Sequence, residues 1–159
     1  MEKKRKGVIA VILCGLLALG VLSGCSAKKE APDERVEALM EDAGKAESVT
    51  MYYGYQCYSY YKEDPESIKE VADVFRSMKL EETDQTVDEA TSFAIYFVVD
   101  DKDSALIDVD KNGVIWLGKE QKFYKDISGT FDYDALAKLY VNSGGNMDPN
   151  ASCDLKLDE

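Results

Sequence analysis

One segment of the chain has the spacing of a partial calcium loop. Asp108, Asp110 and Asn112 place oxygen-bearing side chains at alternate positions, and Gly113 follows them. A complete calcium loop also needs a bidentate carboxylate at its twelfth position, where this chain has Lys119. The pattern therefore predicts either a weak calcium site or a β-hairpin turn. Because both flanks are strand-like, the hairpin is favoured, with Asn112 and Gly113 at positive φ.

The residue that enzymes use most often for general acid–base catalysis is absent from the sequence. The chain has no histidine, which excludes His-based triads and His metal ligands. It also lacks a glycine-rich phosphate loop and any cluster spaced like a set of metal ligands. We therefore predict a protein that is not an enzyme and that uses no cofactor. One catalytic alternative stays open, because the many acidic side chains could supply a carboxylate pair that acts on cell-envelope components.

Tyrosine is concentrated in residues 49–61, which hold six of the ten tyrosines in the chain. The composition predicts a long strand or a hairpin. Strict alternation places Tyr52, Tyr58 and Tyr60 together on one face. An exposed aromatic row of this kind could stack on sugar rings or anchor a protein partner, so these three residues are the candidate binding surface. Ordinary cross-strand packing of tyrosines is the alternative.

The N-terminus has the order of a secretory signal. Four basic residues at positions 3–6 precede an apolar stretch at 7–22, which ends in Leu22-Ser23-Gly24-Cys25. These four residues resemble the lipobox of bacterial lipoproteins. The resemblance implies a signal peptide at 1–24, a lipid on Cys25 and anchorage at the extracytoplasmic face of the membrane. An uncleaved helical anchor is the alternative, and it also exports the remainder of the chain.

Two cysteines remain after the signal peptide and the lipid-attachment site are set aside. Cys57 and Cys153 could form a disulfide in an exported protein, or they could stay as thiols.

The net charge changes once residues 1–24 are removed. The whole chain carries −12, whereas residues 25–159 have 15 basic and 30 acidic side chains, a net charge of −15. A nucleic-acid partner is therefore not expected.

The remaining sequence predicts three helices and a series of strands. Asp33 is expected to cap a helix that reaches Ala46, Asp64 a helix that reaches Met78, and Asp132 a late helix. Strands are predicted at residues 92–99, 105–109, 114–117 and 122–127, beside the tyrosine-rich segment. We expect an α+β fold: a mostly antiparallel four- to five-stranded sheet with two or three helices packed on one face. The predicted division is a tether at 25–32, a domain at 33–142 and a tail at 143–159.

This layout resembles the small lipoproteins of Gram-positive, Clostridia-like bacteria, a group without an assigned activity. The lipobox, the helix at 64–78 and the segment from Phe93 to Tyr140 carry the resemblance. Together with the tyrosines, it predicts a membrane-anchored, non-catalytic binding or regulatory module at the cell surface, with a protein or an envelope component as partner. The alternatives are the carboxylate enzyme and a weak calcium-dependent module.

Overall fold

A computed structural model describes residues 31–56, 58–100 and 102–148, with the side chains of residues 103 and 104 left out. The predicted signal peptide, the lipobox with Cys25, and both Cys57 and Cys153 lie outside the described residues. So do most of the predicted tether and the end of the predicted tail. None of the described helices is long and apolar enough to cross a membrane.

Seven antiparallel strands form one sheet in the described part of the chain, in the order β2-β1-β4-β5-β6-β7-β3. The α+β prediction is confirmed, but the predicted count of four to five strands is wrong. The tyrosine-rich segment forms two strands, and a short strand after the second helix was missed. The strands are β1 Ser48–Tyr53, β2 Ser59–Lys62, β3 Leu80–Glu82, β4 Phe93–Val99, β5 Lys102–Val109, β6 Val114–Leu117 and β7 Lys122–Asp126.

The missed strand β3 pairs with β7 at the edge of the sheet opposite β2. Its three residues are Leu80, Glu81 and Glu82, of which only Leu80 is buried. Three residues are too few to show a reliable period of two, so the sequence gives no strand signal there. The strand forms because Leu80 and Asp126, which is also buried, pair across the edge.

Three helices cover one face of the sheet, called here the core face. They are α1 Glu34–Ala43, α2 Pro65–Asp73 and α3 Tyr133–Asn142. Alternate strand residues such as Met51, Ile95 and Ile107 are fully buried on this face. They form a single apolar cluster with buried side chains from all three helices. The opposite side of the sheet, called the outer face, has no helix from the described residues packed on it.

The predicted N-caps are confirmed. The side chains of Asp33, Asp64 and Asp132 accept hydrogen bonds from the backbone N–H groups of Arg35, Ser67 and Ala135 respectively. Each bond satisfies one of the N–H groups that a helix leaves unpaired at its start. The first two helices are shorter than predicted, because tighter backbone turns replace α-helical geometry after residue 43 and after residue 73.

Candidate functional site

The turn between β1 and β2 corrects the predicted tyrosine face. Gly54 has a φ of +54°, and its N–H donates to the carbonyl of Ser92, 2.9 Å away. The chain reverses here, so Met51 pairs with Tyr60 and Tyr52 pairs with Ser59. The alternation therefore restarts in β2. Tyr52 lies on the outer face and Tyr60 on the core face, so the predicted grouping of Tyr52, Tyr58 and Tyr60 on one face is wrong.

Only one of those three tyrosines is exposed. Tyr52 has 38% of its surface accessible, whereas Tyr60 has 2%. Tyr58 is half-buried, and its hydroxyl donates to the carbonyl of Ser143. Its ring meets that of Tyr140 edge-on, with 5.1 Å between the centroids. Tyr58 and Tyr60 thus hold the hairpin against the core, and Tyr52 remains available to a ligand.

The register of the sheet aligns Tyr52 with aromatic residues that the sequence had not grouped with it. Across neighbouring strands, Tyr52 pairs with Ala94, Ala94 with Asp108, Asp108 with Trp116, and Trp116 with Phe123. We call these five residues the Asp108 row. Strands lie about 4.8 Å apart, so the row extends about 19 Å across the sheet. It is an aromatic strip with a small residue and a carboxylate in its middle.

A second aromatic row lies beside the first on the outer face. Tyr61 pairs with Thr50, Thr50 with Tyr96, and Tyr96 with Leu106. Tyr61 is 54% exposed, and the rings of Tyr52 and Tyr96 meet edge-on at 5.9 Å, which joins the two rows. The outer face therefore presents a continuous aromatic surface over β2, β1 and β4.

Asp108 is the carboxylate of this surface. Its side chain is half-buried, and no described residue gives it a hydrogen bond or an ion pair. Burial, followed by the negative charge of Glu89, raises the pKa of Asp108. Glu89 itself is exposed and accepts a 2.8 Å hydrogen bond from the hydroxyl of Tyr55. Two acidic side chains with different surroundings thus lie near each other.

The partial calcium loop is a hairpin turn. Asp110 is 1% exposed, and its carboxylate accepts hydrogen bonds from the N–H groups of Asn112, Val114 and Asp88 at 2.8–3.0 Å. Gly113 has a φ of +74° but Asn112 does not have a positive φ, which corrects the prediction for that pair. The turn is therefore a type I turn closed by a left-handed glycine.

The three candidate calcium ligands serve different purposes in this hairpin. Asp110 is occupied by backbone N–H groups, Asp108 lies in the aromatic row, and Asn112 is exposed at the tip. Among the described residues, no group of three or more acidic or cysteine side chains is arranged to hold a metal ion. Of the two carboxylates in the motif, Asp110 stabilises the loop and Asp108 forms part of the outer surface of the sheet.

A groove lies on the helical side of the described residues. It has a volume of about 330 Å³, and it lies between α1 and α2. Apolar side chains, including Met40, Ile68 and Ala72, line it. Lys69 and Arg76 also line it, but both form ion pairs with Asp73. Because the charges of Lys69 and Arg76 are paired with Asp73, the groove is a weaker candidate binding site than the Asp108 row.

Comparisons with known protein families, with curated proteins and with solved structures find no match for this chain.

Proposed function

We propose that the protein is a lipid-anchored extracytoplasmic module that binds a component of the cell envelope on the outer face of its sheet. The Asp108 row is the centre of the binding surface, and Tyr61 and Tyr96 extend it. The lipobox resemblance at residues 22–25 supports the anchor and its location. The protein acts by binding, without catalysis, and nucleic acid is not its partner.

One observation carries the binding proposal: the helices of the described residues pack on the core face, while the outer face keeps its aromatic side chains partly exposed. Aromatic residues stabilise a fold most when buried, and a soluble surface normally carries polar side chains at such positions. Tyr52 at 38% and Tyr61 at 54% exposure leave apolar area in water that a ligand could cover. Rings with an apolar face and a polar edge are common where proteins bind partners.

The net charge of residues 25–159 narrows the class of envelope component. At −15, this part of the chain is repelled by anionic lipid headgroups and by acidic wall polymers. A neutral or cationic component of the wall is therefore favoured over an anionic one.

Co-sedimentation of the purified full chain with isolated, protein-free cell wall tests the proposal. We expect the wild type to pellet with the wall, and a Tyr52→Ala/Tyr96→Ala variant to bind about tenfold more weakly, because it loses the joined aromatic pair. Val141→Ala is the matched control, since Val141 is exposed on α3, in the helical layer. Equal pelleting of the wild type and the double variant would show that the outer face does not bind the wall.

A second candidate function is an enzyme that acts on envelope components through paired carboxylates. Its specific support is the raised pKa of Asp108, caused by burial and by the charge of Glu89. Against it, neither the groove between α1 and α2 nor the smaller concavity beside α1 contains either residue. Incubation with wall fragments distinguishes the two functions. If the protein is an enzyme, it releases cleaved products, and Asp108→Asn abolishes their release. If it is a binding module, the fragments stay intact.

A further inference from the structure

Asp108 is an unusual residue to find at the centre of an aromatic strip. It is half-buried between Ala94 and Trp116 in the sheet register, and no described residue supplies it with a positive charge. Lys125 also lies on the outer face, but its Nζ donates to the carbonyl of Asn112 at the hairpin tip. A carboxylate that loses hydration without gaining a partner destabilises the unliganded protein. A bound cation would remove that cost.

The surroundings of Asp108 add to the attraction for a cation. The charge of Glu89 acts on Asp108, so both carboxylates favour a positive group between or above them. Trp116 pairs directly with Asp108 in this row, and Tyr52 lies on the other side of Asp108, beyond Ala94. Aromatic faces attract ammonium groups through their negative quadrupole. Charge, ring placement and incomplete hydration therefore point to the same kind of ligand group.

The shape of the row indicates how the ammonium group is presented. The row runs about 19 Å across five strands, along the surface of the sheet. A single small amine would contact only one position in it. An extended oligomer with apolar ring faces could cover the aromatic side chains on both sides of Asp108. Ala94 supplies the space, since its methyl group is the smallest side chain in the row.

We infer that the Asp108 row binds an oligosaccharide of amino sugars with free, protonated amines, in which one ammonium group pairs with Asp108. This inference rests on the proposed function and specifies the ligand for the same surface. Sugar rings contact Tyr52 and Trp116 through their C–H faces. Asp108 selects the free amine over its acetylated form, because an acetamide carries no charge to offset the buried carboxylate.

Calorimetric titration of the full chain in detergent micelles compares two probes that differ only in this group. The probes are a hexamer of β-1,4-linked glucosamine and the matching hexamer of N-acetylglucosamine. We expect the glucosamine hexamer to bind at least about tenfold more tightly than the acetylated one, and to bind more weakly as salt rises to about 0.5 M. Equal affinities would overturn the requirement for the amine while leaving the aromatic surface in place.

Three variants locate the interaction. Asp108→Asn should weaken glucosamine-hexamer binding about tenfold, whereas Glu70→Gln, which makes the same charge change on an exposed position of α2, should not. Ala94→Leu should weaken both hexamers, because it fills the space beside Asp108 without removing any charge. Thermal melting of each variant verifies folding. Unchanged binding in Asp108→Asn or in Ala94→Leu would overturn the inference.

Two further outcomes separate this inference from the proposed function. If neither hexamer binds while isolated cell wall still pellets the protein, the amino-sugar inference fails and envelope binding stands. If oligolysine of similar length binds as tightly as the glucosamine hexamer, the ligand is selected by charge alone, and the claim for sugar rings is overturned.

Discussion

The Asp33 carboxylate joins two segments that are far apart in the sequence. It accepts hydrogen bonds from the N–H of Arg35 at the start of α1 and from the N–H of Leu80 in β3, at 3.0 and 2.9 Å. It also pairs with the Arg35 guanidinium, which lies 4.8 Å from the centre of the Tyr124 ring. One aspartate therefore caps a helix and fixes the edge strand that the sequence did not reveal.

These contacts make Asp33 a source of acid-sensitive stability. Burial of the carboxyl acts to raise its pKa, but the hydrogen bonds from Arg35 and Leu80 outweigh burial and lower it to about 2, from 3.8. A lowered pKa stabilises the fold above pH 3.8, and this stability is lost as the pH falls through about 2. Asp33→Asn keeps a capping side chain but removes the charge, so it should cost about 2 kcal/mol near neutral pH.

Urea unfolding of the wild type and of Asp33→Asn at several pH values measures this effect. The difference in unfolding free energy should shrink between about pH 4 and pH 2, because the wild-type carboxyl becomes protonated over that range. A difference that stays constant with pH would mean that the charge of Asp33 contributes nothing and that only the shape of the side chain matters.

Residue types alone predicted the caps but not the roles of Asp108 and Asp110. A cap is a local feature, because Asp64 and Ser67 are three positions apart and meet as soon as the helix forms. By contrast, Asp110 bonds to Asp88, which is 22 positions away, and Asp108 owes its raised pKa to burial in the assembled sheet and to Glu89. Tyr96 alternates with the buried residues Ile95 and Phe97 in β4, but its row partners depended on register.

At the scale of elements, the meander from β4 to β7 was predictable and the edges of the sheet were not. Short connections and alternating apolar residues, as in Phe93, Ile95 and Phe97, favour adjacent antiparallel strands. The β1–β2 turn shifted the register of the tyrosines, because residues 54–56 and 58 do not continue the strand. Gly54 marks this turn in the sequence, but it does not show which face each tyrosine occupies after the chain reverses.

The end of the described chain lies beside this same turn. Gln56 Nε2 donates to the carbonyl of Asp148 at 2.6 Å, and Tyr58 bonds to the carbonyl of Ser143. Cys57 is next to Gln56 in the sequence, and Cys153 follows Asp148 by five residues, a span of at most about 18 Å. A disulfide between Cys57 and Cys153 is therefore within the reach of the chain.

We therefore predict a Cys57–Cys153 disulfide in the exported protein, closing a loop that would contribute about 4–5 kcal/mol. Peptide mass spectrometry without reduction should recover the two cysteines in one cross-linked peptide. Cys57→Ser/Cys153→Ser should melt at a lower temperature than the oxidised wild type and at about the same temperature as the reduced protein. Alkylation of both thiols in the native exported protein would contradict the prediction.

For the whole molecule, the net charge of residues 25–159 bears on the proposed lipid anchor. Residues 25–159 carry −15, so anionic headgroups repel this part of the chain and would not hold it at a membrane. The proposed attachment thus depends on acyl chains at Cys25. Each CH₂ group buried in the membrane contributes about 0.8 kcal/mol to the free energy of binding. In this proposal, charge keeps the binding surface in solution while the lipid keeps it near the cell.

Cys25→Ala tests this division of roles. In bacteria that process lipoproteins, the wild type should fractionate with membranes, and its N-terminal peptide should carry the mass of a lipid. The variant should lack that mass and keep its signal peptide, because the lipobox cysteine is absent. Intact-protein mass spectrometry measures both properties. A wild-type chain that retains residues 1–24 and carries no lipid would support the alternative of a helical anchor.

In the proposed complex the ligand covers the Asp108 row, and the only tryptophan of the chain lies in that row. Acrylamide quenching of Trp116 fluorescence, measured with and without solubilised cell-wall fragments, therefore reports on this surface directly. The fragments should protect Trp116 from acrylamide in the wild type and in Val141→Ala, and protection should be lost in Tyr52→Ala/Tyr96→Ala. Unchanged quenching under conditions in which the fragments are bound would show that they bind elsewhere than on the Asp108 row.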